Sequence, residues 1–248
     1  MSVVGRSFLP KGTDTVTRCP IVIRLINDST EAYYVWNDIE QLKGNFQKEN
    51  WKVADHELTD KIKISQDELL VGKDGITNEK CYVEIHSPTV VNLTGKLKKY
   101  SRRKYIVNLV VDLPGLVVND PVEVKDGEET TIVGFKDKVN NLVREFCEKP
   151  NVLCLVISNS DTDLACNIGY SMVKDLNKVD NSIFILTKPD TLVNLPMHQA
   201  QIKKFKNQKH VFMVLNRDGS ASDDQMDETQ DRGASRTGLI LFGFHPKY

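Results

Sequence analysis

Ile106-Val107-Asn108-Leu109-Val110-Val111-Asp112-Leu113-Pro114-Gly115 is a short apolar run that stops on a polar turn. Three further runs share this build: Val152 to Ile157 before Ser158-Asn159-Ser160-Asp161, Ile183 to Leu186 before Thr187-Lys188-Pro189-Asp190, and Val211 to Leu215 before Asn216-Arg217. Each is rich in Val, Ile and Leu and nearly continuous rather than alternating, which is the pattern of strands covered on both faces of a parallel sheet. Helical patterns lie between them. Ile132, Phe135, Val139, Leu142, Val143 and Phe146 recur at three and four, and Ile168, Met172 and Leu176 recur at four, so each segment carries one apolar stripe. Strand, helix, strand, helix predicts an open α/β sheet with right-handed crossovers.

In such sheets ligands bind beyond the carboxyl ends of the strands, so the four polar endings are expected to converge on one site. Any one of them alone is equally an ordinary turn, since Asp, Asn, Pro and Gly end strands for conformational reasons. Outside these runs less can be read. Residues 27–80 are charged and weakly patterned, with Trp36 and Trp51 as packing anchors, and Asp218 to Arg236 is a polar loop or surface segment.

Composition limits the function classes. The 248 residues fit one large α/β domain, and 33 Lys and Arg against 34 Asp and Glu leave no overall field to draw the chain to nucleic acid or anionic lipid. The apolar runs fall far short of the ~18–20 residues of a membrane span, and the N-terminus has no signal-peptide core, which predicts a soluble, cytoplasmic protein. Cys19, Cys81, Cys147, Cys154 and Cys166 form no CxxC pair and several sit in apolar segments, where a thiol acts as a small hydrophobe. Neither they nor the five scattered histidines suggest a metal centre of their own.

The endings carry chemistry when taken together. In Asp112-Leu113-Pro114-Gly115, the Asp can hold Mg²⁺ through water and the Gly amide can approach a terminal phosphate without a Cβ in the way. In Thr187-Lys188-Pro189-Asp190, the Asp190 carboxylate can accept from the ring N–H and the exocyclic amine of guanine, while the Lys188 stem lies over the base. Order, strand context and separation together point to a guanine nucleotide.

Val4-Gly5-Arg6-Ser7-Phe8-Leu9-Pro10-Lys11-Gly12 followed by Val16-Thr17-Arg18-Cys19-Pro20 resembles the first switch region of dynamin-superfamily GTPases, and the TRCP wording is similar to that of Mx proteins. His86-Ser87-Pro88, Asn92-Leu93-Thr94, Asp112 to Gly115 and Leu186 to Asp190 continue the resemblance in the family's order. Leu241-Phe242-Gly243-Phe244-His245-Pro246 looks like the start of the family's segment toward its bundle-signalling element and stalk. The resemblance implies a dynamin-type G domain, a P-loop NTPase-like, mostly parallel sheet with flanking helices, over residues 1–240, with 241–248 leading out of it.

It also implies roles. Thr17 would bind Mg²⁺ and help place the attacking water, and Gly12 would line the phosphates. Asp112, also on Mg²⁺, and Gly115 would form the second switch. Thr187, Lys188 and Asp190 would read guanine, with Asn216 and Arg217 against the base or ribose. GTP and GDP would be the ligands, and a monovalent cation would assist hydrolysis once two G domains dimerise face to face. Higher oligomers, and association with membranes or microtubules through further regions, belong to the full-length family; nucleic acid does not.

The sequence departs from the family pattern in three places. No GxxxxGK[ST] run occurs among the 248 residues, so the first strand, the phosphate-binding loop and most of the first helix are expected to be missing. Losing three charge-assisted hydrogen bonds at ~1.5–3 kcal/mol each lowers affinity more than ~1,000-fold. A sheet without that strand would also expose the edges of its neighbours. Gly95 to Leu109, with Lys96, Lys98, Lys99, Arg102, Arg103 and Lys104, intervenes where the family runs directly into its strand. It is either a solvated loop, translated non-coding sequence, or a local patch for anionic lipid or nucleic acid. Val117-Val118 and Val193-Asn194-Leu195-Pro196 replace a basic residue and an Asp and Gly of the family pattern. Three functions therefore stay open: a GTPase domain of a self-assembling protein that remodels membranes or restricts viruses, a non-catalytic pseudo-GTPase acting as a dimerisation or binding module, and an unrelated α/β protein with accidental motifs.

Overall fold

The computed structural model describes residues 8–10, 17–42, 47–73, 75–88, 109–125, 128–159, 166–187, 211–214 and 242–243. In chain order these form β1 (Ile21–Ile26), β2 (Ala32–Asn37), α1 (Asp38–Leu42), β3 (Lys52–Val53), α2 (Leu58–Leu70), β4 (Cys81–His86) and β5 (Leu109–Asp112). There follow β6 (Val122–Lys125), β7 (Glu128–Thr131), α3 (Phe135–Glu148), β8 (Val152–Asn159), α4 (Ile168–Asp175), β9 (Ser182–Thr187), β10 (Val211–Val214) and β11 (Phe242–Gly243). The chain divides into two compact units, residues 3–152 with 240–248, and residues 1–2 with 153–239.

The first unit is built on strands in the order β11-β5-β1-β4-β2-β3. Its core face is made by alternate residues, as a pleated strand requires: Ile21, Ile23 and Leu25 of β1, Cys81, Val83 and Ile85 of β4, Tyr33 and Val35 of β2, and Val110 of β5 are all buried. Helix α2 packs on β2 and β4 and buries Leu58, Ile62, Ser65, Gln66, Leu69 and Leu70. The anchors Trp36 and Trp51 lie with ring centroids 6.3 Å apart, and Trp36 stacks on Tyr82 at 5.4 Å.

Helix α3 follows the expected stripe. Phe135, Val139, Leu142, Val143 and Phe146 are buried, and a cluster of Phe135, Val139, Leu142, Phe146 and Ile76 packs against Val111, Leu113, Val117 and Ile132. Gly134, the residue just before the helix, has φ 81, a left-handed conformation that a residue with Cβ resists.

In the second unit β8, β9 and β10 are parallel, as their continuous apolar runs predict, with Asn159 opposite Thr187 and Thr187 opposite Val214. Helix α4 buries Met172 and Val173, while Ile168 and Leu176 are half-buried. Four of the five cysteines, all but Cys166, are buried.

The sheet of the first unit is mixed. β1 is parallel to β4 but antiparallel to β5, and β2 is antiparallel to both β3 and β4. β5 was expected among the parallel strands, yet it runs against β1; the composition of a buried strand reports coverage, not direction. β5 starts at Leu109, so Leu109 belongs to the sheet rather than to the inserted segment, the rest of which lies outside the described residues. The side of β5 away from β1 carries β11, through the pair Gly243 and Leu109.

Candidate functional site

The direction of β5 determines what meets at its end. Ile21 of β1 pairs with Asp112 of β5, so the chain entering β1 lies beside the chain leaving β5. A parallel pairing would have placed these two points at opposite ends of the sheet. Thr17, four residues before β1, consequently reaches Asp112: its hydroxyl donates to Asp112 Oδ2 at 3.0 Å, across 95 residues of sequence. Burial pushes the Asp112 carboxyl above its ordinary range, and the Thr17 hydroxyl acts against that shift.

Both segments are held on their far sides. Past Thr17, the Arg18 amide donates to Gln66 Oε1 at 3.0 Å, the Arg18 carbonyl accepts from the Thr77 amide at 3.2 Å, the Arg18 guanidinium pairs with Asp67, and Cys19 is fully buried. Past Asp112, the Asn140 side chain clamps Val117, accepting from its amide at 3.4 Å and donating to its carbonyl at 3.2 Å. Asp120 then accepts from the Gly134 and Lys136 amides at 2.9 and 2.7 Å, supplying the acceptor that the start of α3 requires. Those two amides hold the Asp120 carboxyl below its ordinary range.

Gly115 lies between these fixed points and is exposed. Its φ is outside the left-handed region, and a Cβ added there meets nothing within 4 Å. Neither backbone conformation nor packing within the described residues calls for glycine here.

In the second unit, Thr187 ends β9 and its hydroxyl donates to the Ser158 carbonyl at 3.2 Å, tying the end of β9 to the end of β8. The register brings the carboxyl ends of β8, β9 and β10 level. Lys188, Asp190, Asn216 and Arg217 come next in the chain but lie outside the described residues, as does Gly12.

Asn140 and Asp120 were not singled out from sequence. An Asn inside an amphipathic helix, where it is a poor helix former, was the available signal for the first. Asp120 accepts from the amide of Gly134, fourteen residues later in the chain and just before α3, a relation that local pattern does not carry.

Thr17 and Asp112 offer hard oxygen donors, of the type that Mg²⁺ takes beside phosphate and water. The profile described as Dynamin family matches residues 2–189, which takes in both residues and Thr187 to Pro189. The chain belongs to the dynamin family. Phragmoplastin DRP1A of Arabidopsis thaliana is 31% identical over 194 residues, covering 77% of this chain and 27% of that protein. Dynamin-1 of Rattus norvegicus is 26% identical over 249 residues, covering 99% of this chain and 25% of that protein. Dynamin of Drosophila melanogaster is 27% identical over 190 residues, 76% of this chain and 18% of that protein. This dynamin-family chain thus spans about a quarter of the length of the curated relatives it matches. Among its described residues, no helix is long and apolar enough to cross a membrane.

Proposed function

We propose that this chain supplies the magnesium-side and guanine-side residues of a GTP-binding, GTP-hydrolysing dynamin-type domain. The observation that carries the reading is the meeting of Thr17 and Asp112, two oxygen donors 95 residues apart, at the carboxyl end of β5. Thr17 and Asp112 would face Mg²⁺, directly or through water, and Gly115 and Gly12 would line the phosphates. Thr187, Lys188 and Asp190 would select guanine, with Asn216 and Arg217 beside the base or ribose. Bound Mg²⁺ would neutralise charge on the phosphates, and a monovalent cation would act with it. The family context supports GTP and GDP as ligands, a homodimer through G domains, and higher assembly. Membrane remodelling or Mx-like antiviral restriction, a cytoplasmic location peripheral to membranes, and membrane or microtubule association belong to the same proposal.

A second reading rests on one sequence fact. The 248 residues contain no GxxxxGK[ST] run, the source of phosphate-cradling amides, a lysine and an Mg²⁺ hydroxyl. Without them affinity for the triphosphate falls more than ~1,000-fold, which favours a non-catalytic binding module for the 248 residues taken alone. Titration with a fluorescent GTP analogue and Mg²⁺, together with phosphate release, separates the two readings. The 248 residues are expected to bind weakly without turnover, and the same chain joined to an upstream phosphate-loop segment to bind and turn over. In the joined form Asp190→Asn should lose ~1–3 kcal/mol of preference for GTP over XTP. Unchanged preference would remove Asp190 from the base site.

A further inference from the structure

We propose that the outer edge of β6 is a docking edge for β6 of a second copy of this chain, so that two β6–β7 hairpins join as one four-stranded antiparallel sheet. β6 and β7 form a sheet of only two strands, and no other strand among the described residues pairs with either. A lone hairpin is marginal in water, and each outer edge offers unpaired N–H and C=O groups to another strand. The base of this hairpin is nevertheless fixed. The Ile132 amide donates to the Pro121 carbonyl at 3.0 Å, Asn140 clamps Val117, and Asp120 accepts from the amides at the start of α3. Val118 and Val122, at the entry to β6, add exposed apolar surface beside the edge.

The residues of β6 select the partner. The strand reads Val122-Glu123-Val124-Lys125. Side chains directly opposite across an antiparallel pair share a face, so a two-fold axis relating two copies must set one residue opposite itself. Centred on Glu123 or on Lys125, the pairing opposes like charges. Only the pairing centred on Val124 sets Glu123 of each copy level with Lys125 of the other, giving two cross-strand pairs of opposite charge. β7 reads Glu128-Glu129-Thr130-Thr131 and holds no cation, so none of its self-pairings does this. The β6 pairing needs no nucleotide and involves none of Thr17, Asp112 and Thr187, so it stands apart from the G-domain homodimer proposed above.

Sedimentation equilibrium and hydrogen exchange of the nucleotide-free 248-residue chain across ~1–100 μM test this. The parent should pass from monomer to dimer, with β6 amides gaining protection as the dimer forms. Glu123→Lys and Lys125→Glu each oppose like charges, and each should weaken self-association by ~10-fold or more. An equal mixture of the two variants restores both opposite pairs and should dimerise like the parent. The Tm and circular dichroism of the Glu123→Lys variant should match the parent, because residue 123 faces Thr130 within its own hairpin. A parent that stays monomeric would overturn the proposal. So would single variants that associate as the parent does, or a mixture that associates no better than either variant alone. Protection of the β6 amides that is equal at every concentration would show another segment of the same chain covering the edge, and would overturn it as well.

Discussion

Replacing Glu84 with Gln should destabilise the first unit by about 2–3 kcal/mol. Glu84 is on β4, level with Arg24 of β1 and Tyr34 of β2, and its side chain is only 4% exposed. Its carboxylate accepts from the Lys48 ammonium, from His86 Nε2 at 2.7 Å and from Arg24 at 3.4 Å, while Lys48 also sits 4.5 Å from the centre of the Tyr34 ring. Burial acts to raise the Glu84 carboxyl, but Lys48 and His86 outweigh it and hold the group below its ordinary range. Two close charge-assisted bonds at ~1.5–3 kcal/mol each give about 3–6 kcal/mol gross. Lys48 and Arg24 are 37% and 59% exposed and regain water when the charge is removed, so roughly half of that survives as net loss. For a chain of this size 2–3 kcal/mol corresponds to about 5–10 °C in Tm. Calorimetry at pH 7 gives the first comparison. The second is pH: a carboxyl with a lowered folded pKa contributes fully above its unfolded value near ~4.3 and loses the contribution as pH falls through the folded value. The gap between parent and variant should persist at pH 5 and close in stronger acid. A variant melting within 1–2 °C of the parent at pH 7 would show that the cluster contributes nothing net and refute the reasoning.

Two other changes test the anchors around the site. Asp120→Ala leaves the Gly134 and Lys136 amides without their acceptor, so Tm should fall. The loss should be complete above the unfolded carboxylate range and disappear in acid, because the Asp120 carboxyl is held low in the folded chain; thermal melts at pH 7 and pH 3 read it. Deleting residues 95–108 while keeping Leu109, which pairs with Arg24 and Gly243, should change stability by a fraction of ~1 kcal/mol, since loop-closure entropy varies slowly with length. A large drop in Tm would make that segment integral to the fold.

The parts of the fold visible in the sequence were those with unbroken signals. β8, β9 and β10 each contain an unbroken apolar run, residues 152–157, 183–186 and 211–214, and the three strands pair in parallel. Helix α3 was visible because its stripe keeps the 3.6-residue period over four turns. β1, β2 and β4 were harder because each mixes polar or aromatic residues into the apolar pattern: Arg24 interrupts β1 and Glu84 interrupts β4. Those two interruptions explain each other, since they are register partners joined by an ion pair. Such a long-range pair leaves no trace in either segment alone. The same limit applied to the site. The Asp112 and Thr17 motifs could each be read, but their contact depends on β5 running antiparallel to β1, and strand direction is set by the connections between strands rather than by strand composition. The segments that carry Thr17 and Asp112 could thus be read one by one, whereas the bond between them follows from topology.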